Sequence, residues 1–218
     1  IAITSAPSYD PALFATRDFS KNYAALQKNP YRPLYNRAVM GSYRPGSTFK
    51  TVQALVAMQE GVIGPGSVFS HAGAPMKCHG HGGLSGVNSA IQWSCNPYFY
   101  HVFRRMIYAN AEKNTFKASS IGLKKWHEYT EKFGFGQKLG VDLPSEAKGV
   151  LPSVEYYDKR IGKNQWRFGQ IYSLSIGEGE LLITPLKLAN LAATIANRGW
   201  FKIPHLVKKI KKNNNPLP

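Results

Sequence analysis

The sequence predicts an α+β fold with a mostly helical middle, and three observations point there. Segments of strand character stand at the two ends, residues 1–5 and 201–211. Between them lie stretches with helix start and stop signals, such as Pro45-Gly46 before residues 47–58 and Thr184-Pro185 before residues 186–197. Hydrophobic residues make up 43% of the 218, enough to build a core.

In chain order, residues 1–5 read as a strand, and a chain that opens inside a strand reads as a domain cut from a longer one. Ala6-Pro7-Ser8-Tyr9-Asp10-Pro11 is loop, from its two prolines and its Asp. A polar, aromatic-dotted segment runs on to Asn36. The helix expected over 47–58 is apolar on most sides (Phe49, Val52, Ala54, Leu55, Val56, Met58) and is stopped by Gly61. Such a helix belongs in the core. Residues 61–87, rich in Gly, His and Pro, read as a long tied-down loop. Residues 87–93 form a short helix. Pro97 opens another to about 107, with Asn96 as its N-cap. Residues 109–118 are an exposed loop, and 119–133 an amphipathic helix closed by Gly134. Residues 137–170 are mostly irregular, 173–179 a small-residue turn, and 213–216 turn or tail. With no internal repeat and no splitting linker, residues 1–218 read as one domain.

Composition narrows the function classes. Twenty-eight Lys and Arg against twelve Asp and Glu give a net charge of +16. A basic protein can meet nucleic acid, anionic lipid or an acidic polymer. Nucleic acid is not expected here, because the cations are scattered. The one dense run, Lys208-Lys209-Ile210-Lys211-Lys212, reads as a solvated strand or tail. Cys78 and Cys95 make no disulfide framework, although in an oxidising compartment they could pair. No apolar run of eighteen residues and no signal-peptide pattern is visible. No phosphate-binding or dinucleotide fingerprint occurs, so no cofactor is implied.

The chemistry concentrates at two places. Ser47 and Lys50 fall in the first turn of the 47–58 helix, one turn apart on a shared face. A helix N-terminus prefers an acid, and a capping box would put Glu or Gln where Lys50 stands. A buried lysine there loses pKa, and a neutral amine can take the proton from a serine. Alone, S-x-x-K is a common chance pattern, with Ser47 a cap and Lys50 a solvated charge. The second place is Ser94-Cys95-Asn96, where a hydroxyl and an amide at a loop-to-helix junction can both face one cleft. Cys78, His79, His81 and Cys95 are zinc-type donors, but their spacing is not a standard pairing. The plainer reading is a loop pinned by histidine hydrogen bonds, and no metal is assigned. His71, His101, His127 and His205 lack a carboxylate or serine partner at any telling spacing.

S-x-x-K followed 44 residues later by S-x-N is the order found in serine enzymes that acylate on penicillin. The segment Tyr43-Arg44-Pro45-Gly46-Ser47-Thr48-Phe49-Lys50 resembles the active-site segment of class B penicillin-binding proteins. Ser5-Ala6-Pro7-Ser8-Tyr9-Asp10-Pro11 resembles the strand and loop upstream of it. His79-Gly80-His81-Gly82 followed by Ser94-Cys95-Asn96-Pro97 is similar to the elongation type, penicillin-binding protein 2. So are Phe133-Gly134-Phe135-Gly136, Asp142-Leu143-Pro144-Ser145-Glu146 and Ser175-Ile176-Gly177-Glu178-Gly179. The resemblance covers nearly the whole chain.

It implies the penicillin-binding protein and serine β-lactamase fold, and peptidoglycan D,D-transpeptidation. Ser47 would be the nucleophile, Lys50 its base, Ser94 a proton relay and Asn96 a partner for the substrate amide. The substrates would be stem peptides, with β-lactams as inhibitors. The partners would be a membrane lipid II polymerase and rod-complex proteins, at the outer face of the cytoplasmic membrane. Some proteins of this type are thought to hold a metal near the 79–82 loop. Two departures stand out. The family's third motif, Lys-[Ser/Thr]-Gly, is absent, so the fold is expected to be incomplete, without its C-terminal strands and second oxyanion donor. Glu178 stands where the family more often has Gln. The alternatives are a serine β-lactamase or β-lactam sensor of the same superfamily, or a non-catalytic piece.

Overall fold

The computed structural model describes residues 2–78 and 83–208. In order they form α1 (Phe19–Lys28), α2 (Arg37–Met40), α3 (Lys50–Gln59), β1 (Val68–Ser70) and β2 (Leu84–Gly86). Then come α4 (Val87–Gln92), α5 (Asn96–Ile107), α6 (Thr115–Glu131), α7 (Val154–Arg160), α8 (Phe168–Ile171) and α9 (Pro185–Ala196). Short 3-10 turns occupy Pro11–Phe14, Gly46–Phe49 and Tyr172–Ile176. The chain divides into two compact units. One draws on Ile1–Ser42, Gln137–Lys148 and Thr184–Pro218, the other on Tyr43–Gly136 and Gly149–Ile183.

The second unit holds α3 to α8 and both strands. Its core is built on α5, where Tyr98, Phe99, Val102, Phe103, Met106 and Ile107 recur at helical spacing and are all buried. α6 crosses the C-terminal end of α5 at Gly122, where a β-carbon would stand 2.0 Å from the Ile107 carbonyl oxygen. Only glycine lets the two backbones approach so closely. Asn114 caps α6 by accepting from the Phe116 and Lys117 amides. The side chain of Gln53 ties three elements together in the interior. Its Nε2 donates to the Leu174 carbonyl, and its Oε1 accepts from Trp126 Nε1, both at 2.9 Å. A buried amide is tolerable because both ends are satisfied. Phe49 packs its ring 6.0 Å from both Trp126 and Phe135. Two antiparallel bridges, Tyr43 with Ile183 and Val150 with Leu182, bring the segment before α3 beside the segment after residue 176.

The first unit holds α1, α2 and α9. Thr184 caps α9, its hydroxyl accepting from the Lys187 amide. Lys187 is buried and donates to the carbonyls of Gln137, Ala147 and Lys148. Burial lowers its pKa. The Glu146 carboxylate accepts the amides of Leu139, Gly140 and Val141. Each buried charge thus meets backbone groups that a loop would otherwise leave unpaired.

Several expectations need correcting. Residues 2–5 form no strand; Ser5 Oγ ties them to the segment before α2, accepting from the Arg37 amide and donating to the Tyr35 carbonyl. A strand needs a paired edge, and residues 2–5 find none among the described residues. Residues 201–208 likewise form no strand, their Leu206 and Val207 amides being taken up by Asp142. The rest of the 201–211 segment, most of the 208–212 lysine run and residues 213–216 lie outside the described residues. The 61–87 loop contains the β1–β2 pair, and the 137–170 stretch contains α7 and α8. α1 arises in the segment read only as polar and aromatic-dotted, and it buries no residue; α2 follows directly after that segment.

The α5–α6 crossing yields a stability test. Gly122→Ala sets a methyl against backbone that cannot rotate away, so it should cost about 1–3 kcal/mol despite alanine's better helix propensity. Urea denaturation measures it, and an unchanged or raised midpoint would contradict this crossing.

Candidate active site

α3 begins at Lys50, one turn after the Pro45-Gly46 bend, so the serine sits in a 3-10 turn and the lysine opens the α-helix. Ser47 is exposed, whereas Lys50 is only 2% exposed. The lysine stem runs beneath the serine, and its Nζ stands 3.1 Å from Ser47 Oγ. The same nitrogen donates to the Ser94 carbonyl at 2.7 Å and to Asn96 Oδ1 at 2.6 Å, and lies 2.9 Å from Ser94 Oγ. Ser94 Oγ in turn stands 2.7 Å from Ser47 Oγ. All four residues singled out from the sequence therefore converge on one nitrogen.

Two of these contacts are to oxygens that can only accept, and two are to hydroxyls that can donate or accept. An ammonium spends two of its protons on the Ser94 carbonyl and Asn96, and its third on a serine. A neutral amine keeps the two carbonyl bonds and turns its lone pair to the hydroxyl pair. Burial lowers the Lys50 pKa from 10.5 to about 8, against weaker opposing effects of the Cys95 and Cys78 thiols. The neutral form is thus within reach near physiological pH.

The Ser94–Asn96 turn is held in an unusual way. Ser94 has φ of +51°, a left-handed conformation that costs a non-glycine residue about 1–2 kcal/mol. In return both its carbonyl and its hydroxyl reach Lys50. The expected N-cap role of Asn96 is corrected: Cys95 is the cap of α5, and its Sγ accepts from the Tyr98 amide. Asn96 is the first helical residue, which frees its side chain. Its Oδ1 faces Lys50 and its Nδ2 donates to the Lys77 carbonyl at 3.3 Å.

The serine turn is braced from the other side by residues 173–179. The Gly46 amide donates to the Gly177 carbonyl at 3.0 Å, and both glycines have positive φ. A β-carbon on Gly177 would lie 2.2 Å from the Gly46 carbonyl oxygen and 2.8 Å from Phe49 Cβ. Arg44 Nε donates to the Gly179 carbonyl at 2.9 Å and stands 3.8 Å from the Glu178 carboxylate. Glu178 therefore gives Arg44 an ionic partner at the mouth of the site. No spacing rule would have found Gly177 or Arg44; their signal lies in a contact between segments 130 residues apart.

Behind the turn lies a soft donor set. The His71, Cys78 and Cys95 ligand atoms are all within 4.8 Å of one another, with His71 Nε2 3.2 Å from Cys95 Sγ. Imidazole and thiol at this separation suit a cation such as zinc. No sequence spacing gave His71 a serine partner; folding brings its Nε2 to 3.1 Å from Ser85 Oγ, 14 residues away. His79 and His81 lie outside the described residues. Cys78 and Cys95 are free thiols, and burial raises the Cys95 pKa.

Comparison with known proteins adds an independent line. The penicillin-binding protein transpeptidase domain family matches residues 1–218. The chain is 36% identical to peptidoglycan D,D-transpeptidase MrdA of Acinetobacter baumannii over 95% of its own length, and 32% identical to that of Escherichia coli K12 over all of it. It spans 30% and 34% of those two proteins, about a third of each. Among solved structures, Pseudomonas aeruginosa PBP2 in complex with WCK 5153 aligns with a TM-score of 0.77 and 34% identity, over 99% of this chain and 48% of that one. The complex of PBP2 and MreC from Helicobacter pylori aligns at 0.74 and 26%, over 96% of this chain and 38% of that one. The family match from end to end, with MrdA relatives at 30% identity or more and PBP2 structures among the neighbours, places this chain in the penicillin-binding protein transpeptidase family, within its penicillin-binding protein 2 type.

Proposed function

We propose that this chain carries the nucleophilic half of a peptidoglycan D,D-transpeptidase that cross-links stem peptides during cell elongation. The observation that carries the reading is Lys50 Nζ, buried and 3.1 Å from an exposed Ser47 hydroxyl. Neutral Lys50 takes the Ser47 proton as Oγ adds to the penultimate D-Ala carbonyl. The Ser47 amide, at the start of the helical turn, faces the developing oxyanion, where one such donor is worth about 3 kcal/mol. The proton passes through Ser94 Oγ to the leaving amine, and D-Ala departs. The amine of a neighbouring stem peptide then attacks the acyl-enzyme, losing its proton back along the same path. Asn96 holds Lys50 in place and presents its amide to the substrate backbone. A β-lactam acylates Ser47 because its strained amide occupies the same position. His71, Cys78 and Cys95 would hold a cation that steadies the Ser94–Asn96 turn from behind, with no part in the acyl transfer.

The second oxyanion donor and the Lys-[Ser/Thr]-Gly strand are expected from the downstream part of the family's domain. We place the protein at the outer face of the cytoplasmic membrane, beside a lipid II polymerase and rod-complex proteins. MreC, seen with the H. pylori relative, is the partner type this suggests. Among the described residues no helix is long and apolar enough to cross a membrane. Among the described residues the side-chain hydrogen bonds of Lys50 and Ser47 run to each other, to Ser94 and to Asn96, and none is to a carboxylate. The transpeptidase reading expects a long-lived acyl-enzyme with penicillin, whereas a β-lactamase would turn it over rapidly.

Fluorescent-penicillin labelling tests the reading, on this chain and on a form extended through Lys-[Ser/Thr]-Gly. The extended form should label stably, and Ser47→Ala should abolish the signal. Labelling of the Ser47→Ala form, or of neither folded form, would sink the assignment. Lys50→Gln should slow acylation by roughly 10²–10⁴-fold, the range of a lost general base.

The pH dependence follows from the lysine. With a pKa of about 8, about a tenth of Lys50 is neutral at pH 7 and nearly all above pH 9. Acylation should rise roughly tenfold across that interval, then level off. A rate flat from about pH 6 to 9 would remove Lys50 from the base role.

A further inference from the structure

The outer face of α5 carries a cationic recess that the acyl-transfer chemistry does not use. His101, Arg104, Arg105 and Tyr108 recur at i, i+3, i+4 and i+7, a single stripe along the helix and its C-cap. Val102, Phe103, Met106 and Ile107 are buried on the other side, which fixes the stripe outward. With Phe69 of β1 these residues line a cavity of about 390 Å³. That is within the range of roughly 300–1,000 Å³ typical of small-molecule sites.

The walls are held in place. The His101 ring lies parallel to Phe69, 6.0 Å away at 11°, and its Nε2 is 3.0 Å from the Ala72 carbonyl. The Arg104 guanidinium lies 6.0 Å from the centre of the Tyr108 ring, which itself packs against Phe168 at 5.9 Å. Neither Arg104 nor Arg105 has a carboxylate partner among the described residues. A merely solvated helix face needs no aromatic wall, whereas here both arginines line one recess with Phe69, His101 and Tyr108.

We propose that this recess binds a phosphate or diphosphate group. Each guanidinium offers parallel N–H donors that match two oxygens of an oxyanion. Two of them together suit a dianion better than a single carboxylate. The group could belong to a soluble diphosphate or to a membrane headgroup. Arg104 lies eight residues after Asn96, about 12 Å along α5, so occupancy leaves Ser47 open.

The test is calorimetric titration with inorganic pyrophosphate, together with flotation on phosphatidylglycerol or phosphatidylcholine vesicles. Pyrophosphate should bind, and Arg104→Gln with Arg105→Gln should weaken it by at least about tenfold. Lys21→Gln with Lys28→Gln removes the same charge from α1 and should change binding by less than about twofold. In the extended form, penicillin labelling of Ser47 should be unaltered in both variants, which also verifies that they fold. Flotation with phosphatidylglycerol that the arginine variant loses identifies a headgroup source. Pyrophosphate binding without vesicle preference identifies a soluble one. The proposal is overturned if the arginine variant binds pyrophosphate as well as the parent does, or if the parent binds neither probe. Either failure leaves the labelling of Ser47, and the acyl-transfer reading, intact.

Discussion

The site depends on a lysine buried without a carboxylate. Removing an ammonium from water is costly, and proteins usually offset it with an acid. Here the offset comes from neutral oxygens: the Ser94 carbonyl, Asn96 Oδ1 and two hydroxyls. They satisfy the N–H groups but add no full negative charge, so desolvation prevails and the pKa falls to about 8. A carboxylate in the place of Asn96 would reverse this, holding the proton on Lys50 and leaving Ser47 without a base. The chemistry therefore rests on a polar but uncharged surround.

Keeping four oxygens around one nitrogen demands rigidity on both sides of it. On the α3 side, Phe49 is wedged against Trp126 and Phe135, and Gln53 is bonded at both ends of its amide. Lys50 lies between these two anchors, so its backbone cannot shift without disturbing the core. On the other side the strain at Ser94 is stored where it is used. Its left-handed φ is what lets one residue present both a carbonyl and a hydroxyl to the same nitrogen. The Gly46–Gly177 contact closes the frame around the serine turn, and a side chain on Gly177 would strike the Gly46 backbone.

Much of this was legible beforehand, and the rest was not for physical reasons. The helices with explicit signals, α3 after Pro45-Gly46, α5 at Asn96-Pro97 and α9 after Thr184-Pro185, stand within one to three residues of expectation at their starts. The four polar residues meet because S-x-x-K and S-x-N each fix a local geometry that long-range packing only has to juxtapose. What stayed hidden depends on partners distant in sequence. β1 and β2 are three residues each and have meaning only as a pair. The segments at 2–5 and 201–208 have strand-like composition, but a strand exists only where an edge receives it. His71 gains its serine and cysteine neighbours from folding, across 14 and 24 residues.

The misassigned cap shows how a small local choice reaches the chemistry. Asn-Pro at a helix start suggests Asn as cap and Pro as first residue, and by rank Asn outcompetes Cys for the role. Had Asn96 capped α5, its Oδ1 would have been spent on a backbone amide of the first turn. Instead the Cys95 sulfur, a weak acceptor, takes the Tyr98 amide inside the core, where competition from water is absent. The stronger acceptor is thereby released to the stronger donor, at 2.6 Å from Lys50 Nζ. The orientation of the amide follows from charge alone, since turning it over would set an NH₂ against the ammonium and an oxygen against the Lys77 carbonyl. The helix start thus accepts a poorer cap so that Asn96 can hold the base, and through it the serine.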